Sequence, residues 1–330
     1  MEFTTGGRLE IRISSEDVGK RVSVRALNDR TRSPERFADA VGVLTSWTGG
    51  VLRITRRDGR TVEVAEDALV AGKVVPAAPA RRRGPAATLR ELQDVAARGW
   101  PATETGRLGD WTLRAAGGFT ARANSALPLG RSGLPLPEAV DRVTAWYHER
   151  GLPARVQITT GDPAEDERLD AELAARGWTA ERYALMRTAA LAPLADAAED
   201  TGRVLLSRAP DEAWLDAYGR TENTANPGAA RAVLAGGPSV WCASVPGAAI
   251  GRCVVDGRWA GFAALEVSPE HRRKGLATLV MAALARRALD EGASAAYLQV
   301  ETGNAGALAF YDRLGFTTHH AYHYRREPEH

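Results

Sequence analysis

The sequence predicts an α/β protein in which a small N-terminal β-barrel precedes two mixed α/β domains. Three observations support this prediction. Short runs of alternating apolar and polar residues occupy positions 1–76, a proline-rich stretch then breaks all periodicity, and the rest of the chain alternates helix and strand patterns. The length of 330 residues also predicts two or three domains rather than one.

The first segment, residues 1–76, shows the patterns of several short strands. Val22 and Val24 alternate with polar residues, and Asp58-Gly59 separates two strand-like runs, which is a strong hairpin signal. Several short strands in so small a unit predict a compact β-barrel of SH3-like type. Residues 77–87 contain an arginine triplet among prolines and alanines and are predicted to be a solvated linker.

The second segment, residues 88–198, looks like a degenerate copy of the third, residues 199–330. Both contain a helix pattern that ends in glycine and an aromatic residue, followed by a strand-like stretch. In the second segment a proline, Pro135, stands where Ala277 would donate a backbone amide in the third, and proline has no N–H. We therefore predict that the chemistry lies in the third segment.

The most informative motif is His-Arg-Arg-Lys-Gly-Leu-Ala at positions 271–277. It follows the strand-like run 262–267, Pro269 ends that strand, and a helix pattern begins at Gly275. Such a turn directs several backbone N–H groups and the positive end of a helix dipole at one spot, which suits a pyrophosphate. A second motif, Asn-x-x-Ala-x-x-x-Tyr-x-x-x-Gly-Phe, follows the next strand at positions 304–316.

Together the two motifs resemble the GNAT superfamily of acyl-CoA-dependent N-acetyltransferases, over roughly residues 202–326. The resemblance implies two GNAT-like mixed-sheet domains, the first degenerate, and acetyl-CoA as the co-substrate. In this family an Arg/Gln-x-x-Gly-x-Gly/Ala turn holds the pyrophosphate of coenzyme A. The residues expected at the cofactor are Leu265, Val267, Arg272, Arg273, Lys274, Gly275, Leu276, Ala277, Thr278 and Asn304. Of the three basic residues, Arg272 matches the family position, and the alternative for Arg273 and Lys274 is a solvated side chain.

The resemblance also implies catalytic roles. Tyr311 is the expected proton donor to the departing thiolate, and the alternative for it is a helix tyrosine packed against Phe316. The backbone N–H of Val267 is expected to polarise the thioester carbonyl where two strands splay apart. The base does not follow from the resemblance, because this chain has Ala263, Gly261 and Gln299 where family members place a carboxylate. From its place near the splay Glu266 is the preferred base and Glu301, at the end of the next strand, the alternative, while a structural salt bridge at Glu266 stays open.

Substrate contacts are predicted in the second segment. In the stretch 117–125, Thr120, Arg122 and Asn124 alternate on one face of a predicted strand. If that face meets the cleft, Arg122 could hold a substrate carboxylate; if it faces outward, it is only polar surface. Asn124 and Glu301 are further candidate substrate-binding residues. The order of barrel, degenerate half and active half resembles tandem GNAT proteins of an actinobacterial N-acetylglutamate synthase-like group, so glutamate is the first acceptor considered.

Composition limits the other classes of function. The net charge of +2 gives no electrostatic support for a nucleic-acid or membrane role, and no apolar run is long enough to span a bilayer. Cys242 and Cys253, the two cysteines, have no metal-binding spacing, and they indicate a reducing, cytoplasmic setting with two buried free thiols. We expect no metal. The rival functions are an acyl-CoA sensor or binding module with little turnover and a peptide or protein N-acetyltransferase. A homodimer through the degenerate half stays open.

Overall fold

A computed structural model of the chain describes residues 10–27, 37–56, 60–75, 85–219 and 225–329. Contacts divide the chain into two compact units, Met1–Arg83 and Gly84–His330. Asp58-Gly59 and most of the predicted linker, residues 77–84, lie outside the described residues.

The first unit contains one six-stranded sheet. Its strands are β1 (Ile11–Arg12), β2 (Arg21–Leu27), β3 (Phe37–Thr48), β4 (Val51–Thr55), β5 (Thr61–Ala65) and β6 (Leu69–Val74). Their order is β1-β6-β2-β3-β4-β5. Alternate residues such as Val24, Leu44 and Ile54 are fully buried on one face, as the period of two predicts. Because β1 and β5 are not paired in the described part of the sheet, the closure expected of an SH3-like barrel is not confirmed.

The second unit is a mixed sheet with helices on both faces. Its helices are α1 (Leu89–Gly99), α2 (Leu136–His148), α3 (Pro163–Ala175), α4 (Ala192–Ala195), α5 (Glu212–Ala217), α6 (Pro227–Ala235), α7 (Leu276–Asp290) and α8 (Ala305–Arg313). Its strands are β7 (Glu104–Leu108), β8 (Trp111–Ala115), β9 (Arg155–Ile158), β10 (Thr179–Ala190), β11 (Leu205–Ser207), β12 (Ser239–Val245), β13 (Ala249–Asp256), β14 (Trp259–Val267), β15 (Ala295–Glu301) and β16 (Thr317–Arg326). Across the described ranges, none of the helices combines the length and the apolar character needed to cross a bilayer.

Both predicted α/β segments contribute to one eight-stranded sheet. Its order is β11-β12-β13-β14-β15-β10-β16-β9, while β7 and β8 form a separate hairpin. β10, from the second segment, therefore lies between β15 and β16, from the third. The buried Arg187 on β10 donates to Asp312 Oδ1 and to the carbonyl oxygen of Phe316, both at 2.5 Å, and so binds the end of α8. The predicted boundary at residue 198 stays a prediction.

The two faces of the sheet carry different helices. On one face α7 packs directly on β13. The approach is closest at Gly251, where a Cβ would lie only 2.6 Å from Val280 Cγ1. On the other face the end of α1 and the helices α5 and α6 cover Val254. Cys253 belongs to the α7 face and Cys242 to the opposite one, and both are buried free thiols, as predicted. Burial raises the pKa of Cys242 to about 11 and of Cys253 to about 12.

Candidate active site

The centre of the sheet opens where β14 and β15 separate. The two strands run parallel and pair from Trp259 with Ala295 to Phe262 with Leu298. Beyond these residues, β14 continues to pair with β13 alone among the described strands. The sheet therefore contains a V-shaped gap, as predicted.

A β-bulge lies on β14 at the start of this gap. Ile250 pairs with Glu266 and Arg252 with Ala263, so two residues of β14 oppose the single Gly251. Ala264, one of the two, adopts a φ of 50°, a conformation that costs a residue with a Cβ roughly 1–2 kcal/mol. The bulge bends β14 away from β15 and re-aims the residues that follow it.

The main chain of Val267 faces the gap. The N–H of Ser268 donates to the carbonyl oxygen of Ala248 at 2.9 Å, which makes Val267 and Ala249 a non-hydrogen-bonded pair of the antiparallel ladder. The N–H and the carbonyl of Val267 therefore point away from β13, into the gap. This is the orientation that the resemblance implies for an exposed amide at this position, and the polarising role of that amide stays a prediction.

The turn from β14 into α7 has the geometry of an anion-binding site. Arg273 and Gly275 both have positive φ, 64° and 77°, and Gly275 is the N-cap of α7 with no side chain to satisfy the first amides of the helix. Those amides and the helix dipole are directed outward from the turn. Arg272 Nε donates to the carbonyl oxygen of Val267 at 3.3 Å, which keeps its guanidinium beside the gap.

A cleft of about 650 Å³ runs through the gap. The predicted site residues that line it are Arg122, Leu265, Glu266, Val267, Arg272, Ala277, Glu301, Asn304 and Tyr311. The other residues of the turn do not line it; they are Arg273, Lys274, Gly275, Leu276 and Thr278. Asn304 caps α8, because its Oδ1 accepts from the N–H of Ala307 at 3.0 Å.

Tyr311 on α8 packs against Phe316, as its structural interpretation predicts, and also lines the cleft; its role as proton donor stays a prediction. Its half-buried ring lies edge-on against Phe316, with centroids 5.6 Å apart, and it also forms part of the cleft wall. Burial raises the pKa of Tyr311 to about 12. The phenol therefore keeps its proton throughout the neutral range, as a general acid must.

Two carboxylates face the side of the cleft away from α7. On β15, Leu298 and Val300 pack into the α7-side core, so the alternate residues Gln299 and Glu301 point the other way. Glu266 likewise alternates with Leu265 and Val267, which pack towards α7. The cleft thus joins a face that holds Tyr311 and the α7 turn to a face that holds Glu266 and Glu301.

The sequence analysis missed several residues of this second face. Tyr322 and Tyr324 on β16 line the cleft with their rings edge to face, 5.7 Å between centroids, and both are buried. Burial raises the pKa of both phenols. Arg182 and Tyr218 complete this wall. In the sequence, the spacing of Tyr322 and Tyr324 indicates that both lie on one face of a strand, but it does not show which strands pair with that strand.

The predicted strand over residues 117–125 is wrong. The stretch forms a glycine-rich loop with a single 3-10 turn at Ala121–Ala123. Asn124 is buried, its Oδ1 accepts from the N–H groups of Ala116 and Gly118, and its Nδ2 donates to two further carbonyls of the loop. These bonds use its polar atoms within the loop, and Asn124 does not line the cleft, so it is not part of the proposed acceptor site. Arg122, at the 3-10 turn, does line the cleft.

Comparison with known proteins identifies the family. The profile of the family described as "Probable histone acetyltransferase Rv0428c C-terminal" matches residues 86–325. The chain belongs to this acetyltransferase family. A Mycobacterium tuberculosis protein named "Probable histone acetyltransferase Rv0428c" is 30% identical over 316 residues, which cover 93% of this chain and 95% of the relative. A Bacillus subtilis protein named "Uncharacterized N-acetyltransferase YobR" is 27% identical over 253 residues, 72% of this chain and 98% of the relative.

Solved structures agree on the fold of this acetyltransferase. A GCN5-related N-acetyltransferase from Kribbella flavida superposes with a TM-score of 0.53 and 17% identity, over 73% of this chain and 96% of that one. A functionally unknown conserved protein from Staphylococcus epidermidis gives a TM-score of 0.51 and 10% identity, over 72% and 98%. The acetyltransferase is thus a GNAT-type acyl-CoA N-acyltransferase, and enzymes of this type use acetyl-CoA. In the described ranges, no group of three or more His, Cys, Asp and Glu side chains could hold a metal ion.

Proposed function

We propose that the protein transfers an acetyl group from acetyl-CoA to the primary amine of a small molecule, by direct attack of the amine. One observation carries the proposal: the cleft through the gap connects the α7 turn and Tyr311 on one face with Glu266 and Glu301 on the other. Such a passage lets a thioester and an amine approach each other from opposite sides of the sheet.

The α7 side suits the co-substrate. Unpaired amides in the first turn of α7 would hold the pyrophosphate, and Arg272, Arg273 and Lys274 add positive charge around it. The outward N–H and carbonyl of Val267 can pair with the pantetheine chain as an added strand would, and the same N–H can polarise the thioester carbonyl.

The reaction then needs three proton transfers. Glu266 accepts a proton from the ammonium, and the neutral amine attacks the thioester carbon. The nitrogen of the tetrahedral intermediate loses its extra proton to solvent, and the C–S bond breaks as the intermediate collapses. Tyr311 gives its proton to the departing thiolate and regains one from solvent. We assign no covalent acyl-enzyme, because the cysteines are buried and burial raises the pKa of both thiols above the neutral range.

A second candidate acceptor comes from the relatives. The Mycobacterium tuberculosis relative is named as a probable histone acetyltransferase, which supports a lysine side chain of a protein as the acceptor. Glutamate stays the first amino acid to test, following the resemblance to N-acetylglutamate synthase-like proteins. We also propose that the protein is cytoplasmic, that it forms a homodimer, and that its first unit is an SH3-like barrel.

Calorimetry and a thiol-release assay test the proposed function. We expect one acetyl-CoA to bind per chain, and coenzyme A to be released faster when a panel of amino acids, polyamines, aminoglycosides and lysine peptides is added. Binding without acceleration by any amine would identify an acyl-CoA sensor instead. No heat of binding with folded protein would refute the proposed site.

A further inference from the structure

The acceptor side of the cleft contains an arginine that pairs with no carboxylate among the residues that the structure describes. Arg122 is half-buried in the cleft wall, where one Nη1–H donates to Gln299 Oε1 at 2.8 Å. Its guanidinium carbon lies 4.4 Å from the ring centroid of the buried Trp100. Arg122 forms no salt bridge with any described carboxylate. A guanidinium has five N–H donors, so four remain for a ligand or solvent.

The surroundings of Arg122 add positive charge. Trp100 also lies 5.1 Å from the guanidinium of Arg252, and the nearby Arg114 is buried as well. Arg252 donates to carbonyl oxygens at the ends of α1 and α6, and Arg114 donates to Ser125 and Gln157. Neither of these two arginines has a salt bridge to a described carboxylate.

The bonds of Arg114 and Arg252 account for their burial, but not for that of Arg122. Carbonyl oxygens at helix C-termini carry partial negative charge and stabilise the Arg252 cation. Burying a charge without an opposite charge costs free energy, and like charges nearby increase that cost. Arg122 has one neutral acceptor, so an anion on this side of the cleft would supply the opposite charge that it lacks among the described residues.

Arg182, which lines the same side of the cleft, is different. Its Nη1 lies 3.8 Å from Glu301 Oε1 and its Nε lies 3.9 Å from Glu181 Oε1, so two carboxylates of the protein lie close to its charge. Arg182 therefore balances carboxylates of the protein itself, whereas Arg122 is available to bind an anionic ligand.

The position of Arg122 sets the distance to the reacting amine. Gln299 and Glu301 lie on the same face of β15, and residues at i and i+2 of a strand are about 7 Å apart. Arg122, Glu266 and Glu301 line the same cleft, so one small molecule could place an anion at Arg122 and its ammonium at Glu266, the proposed base, or at Glu301, the alternative. A protein lysine would bring no such anion on its own side chain.

We propose that the acceptor is an amine that also bears a carboxylate, a free amino acid being the simplest case, and that Arg122 binds the carboxylate. The planar guanidinium, already oriented by Gln299 and Trp100, can offer a second edge for bidentate binding. This inference rests on the proposed acetyl-transfer function and names its acceptor class.

The test compares free amino acids with their carboxamides. Thiol release from acetyl-CoA is measured for L-amino acids, for the same amino acids with the α-carboxylate converted to an amide, and for lysine peptides. We expect kcat/KM to be roughly tenfold to hundredfold higher for at least one free acid than for its amide. Arg122→Gln should remove that preference, Arg122→Lys should restore part of it, and the matched control Arg182→Gln should retain it.

Several outcomes would overturn the inference. They are equal kcat/KM for acids and amides, a preference that survives Arg122→Gln, a lysine peptide that outperforms every free acid, or no thiol release with any acid. Acetyl-CoA affinity and thermal unfolding of each variant separate a lost contact from a lost fold. Because acetyl-CoA binding does not depend on the acceptor, failure of the proposed function would appear as absent cofactor binding in the wild-type protein.

Discussion

Tyr311 can be tested as a single chemical group, because the change to phenylalanine keeps its packing on Phe316. We expect Tyr311→Phe to lower kcat by roughly 10²- to 10⁴-fold, the usual contribution of a general acid, while the acetyl-CoA dissociation constant stays within about twofold. Tyr183→Phe is the matched control, since Tyr183 is exposed, stacks on His323 and lies outside the cleft. Wild-type turnover in Tyr311→Phe would remove this tyrosine from the mechanism.

The raised pKa of Tyr311 also predicts the alkaline limb of the pH–rate profile. A phenol is active as an acid only while protonated, and burial moves its pKa from about 10 to about 12. The same shift stabilises the fold below pH 10, and that contribution is lost as pH rises through 12. We therefore expect no loss of kcat from this group below about pH 10, measured by initial rates in overlapping buffers. A loss near pH 8 that disappears in Tyr311→Phe would contradict the assignment.

Glu266 and Glu301, the two carboxylates on the acceptor side of the cleft, can be tested separately. Glu266→Gln removes the proposed base, so kcat/KM should fall roughly 10²- to 10⁴-fold and the acidic limb of its pH profile should change. Glu301→Gln is the comparison, because it lies on the same face but is near Arg182. A pH–rate profile of Glu266→Gln that matches the wild type would transfer the role to Glu301 or to water.

At the level of the element, the α7 turn is the part of the site that depends on backbone groups rather than side chains. Ala277→Pro removes one amide of the first helical turn, a region where proline is tolerated. We expect acetyl-CoA affinity to fall about tenfold by calorimetry, the loss of one hydrogen bond to a charged group. Ala277→Gly keeps the amide and is the matched control. Equal affinity in both variants would exclude this amide from the pyrophosphate site.

The whole molecule shows why some features were predictable and others were not. The α7 turn could be predicted from the sequence because its signals are local. Pro269 cannot continue the strand, and Gly275 can adopt the positive φ that the turn has in the structure. The tyrosines of β16 enter the cleft only because β10 lies between β15 and β16. That pairing joins residues more than a hundred positions apart, and no local pattern specifies it. The strand predicted over 117–125 was wrong for a different, local reason, because Asn124 bonds to backbone groups of its own loop instead of alternating along a strand.

The shared sheet predicts that the catalytic segment does not fold alone. A fragment spanning residues 199–330 would lose β10 from the middle of the sheet and would expose the edges of β15 and β16. It would also lose the carbonyl of Gly99, to which the buried Arg252 donates at 2.8 Å. Residues 85–330 keep all of these contacts. We expect 85–330 to unfold in one cooperative transition and to bind acetyl-CoA, and 199–330 to show neither behaviour by circular dichroism and calorimetry. A folded 199–330 fragment with the acetyl-CoA affinity of the full chain would show that β10 is dispensable.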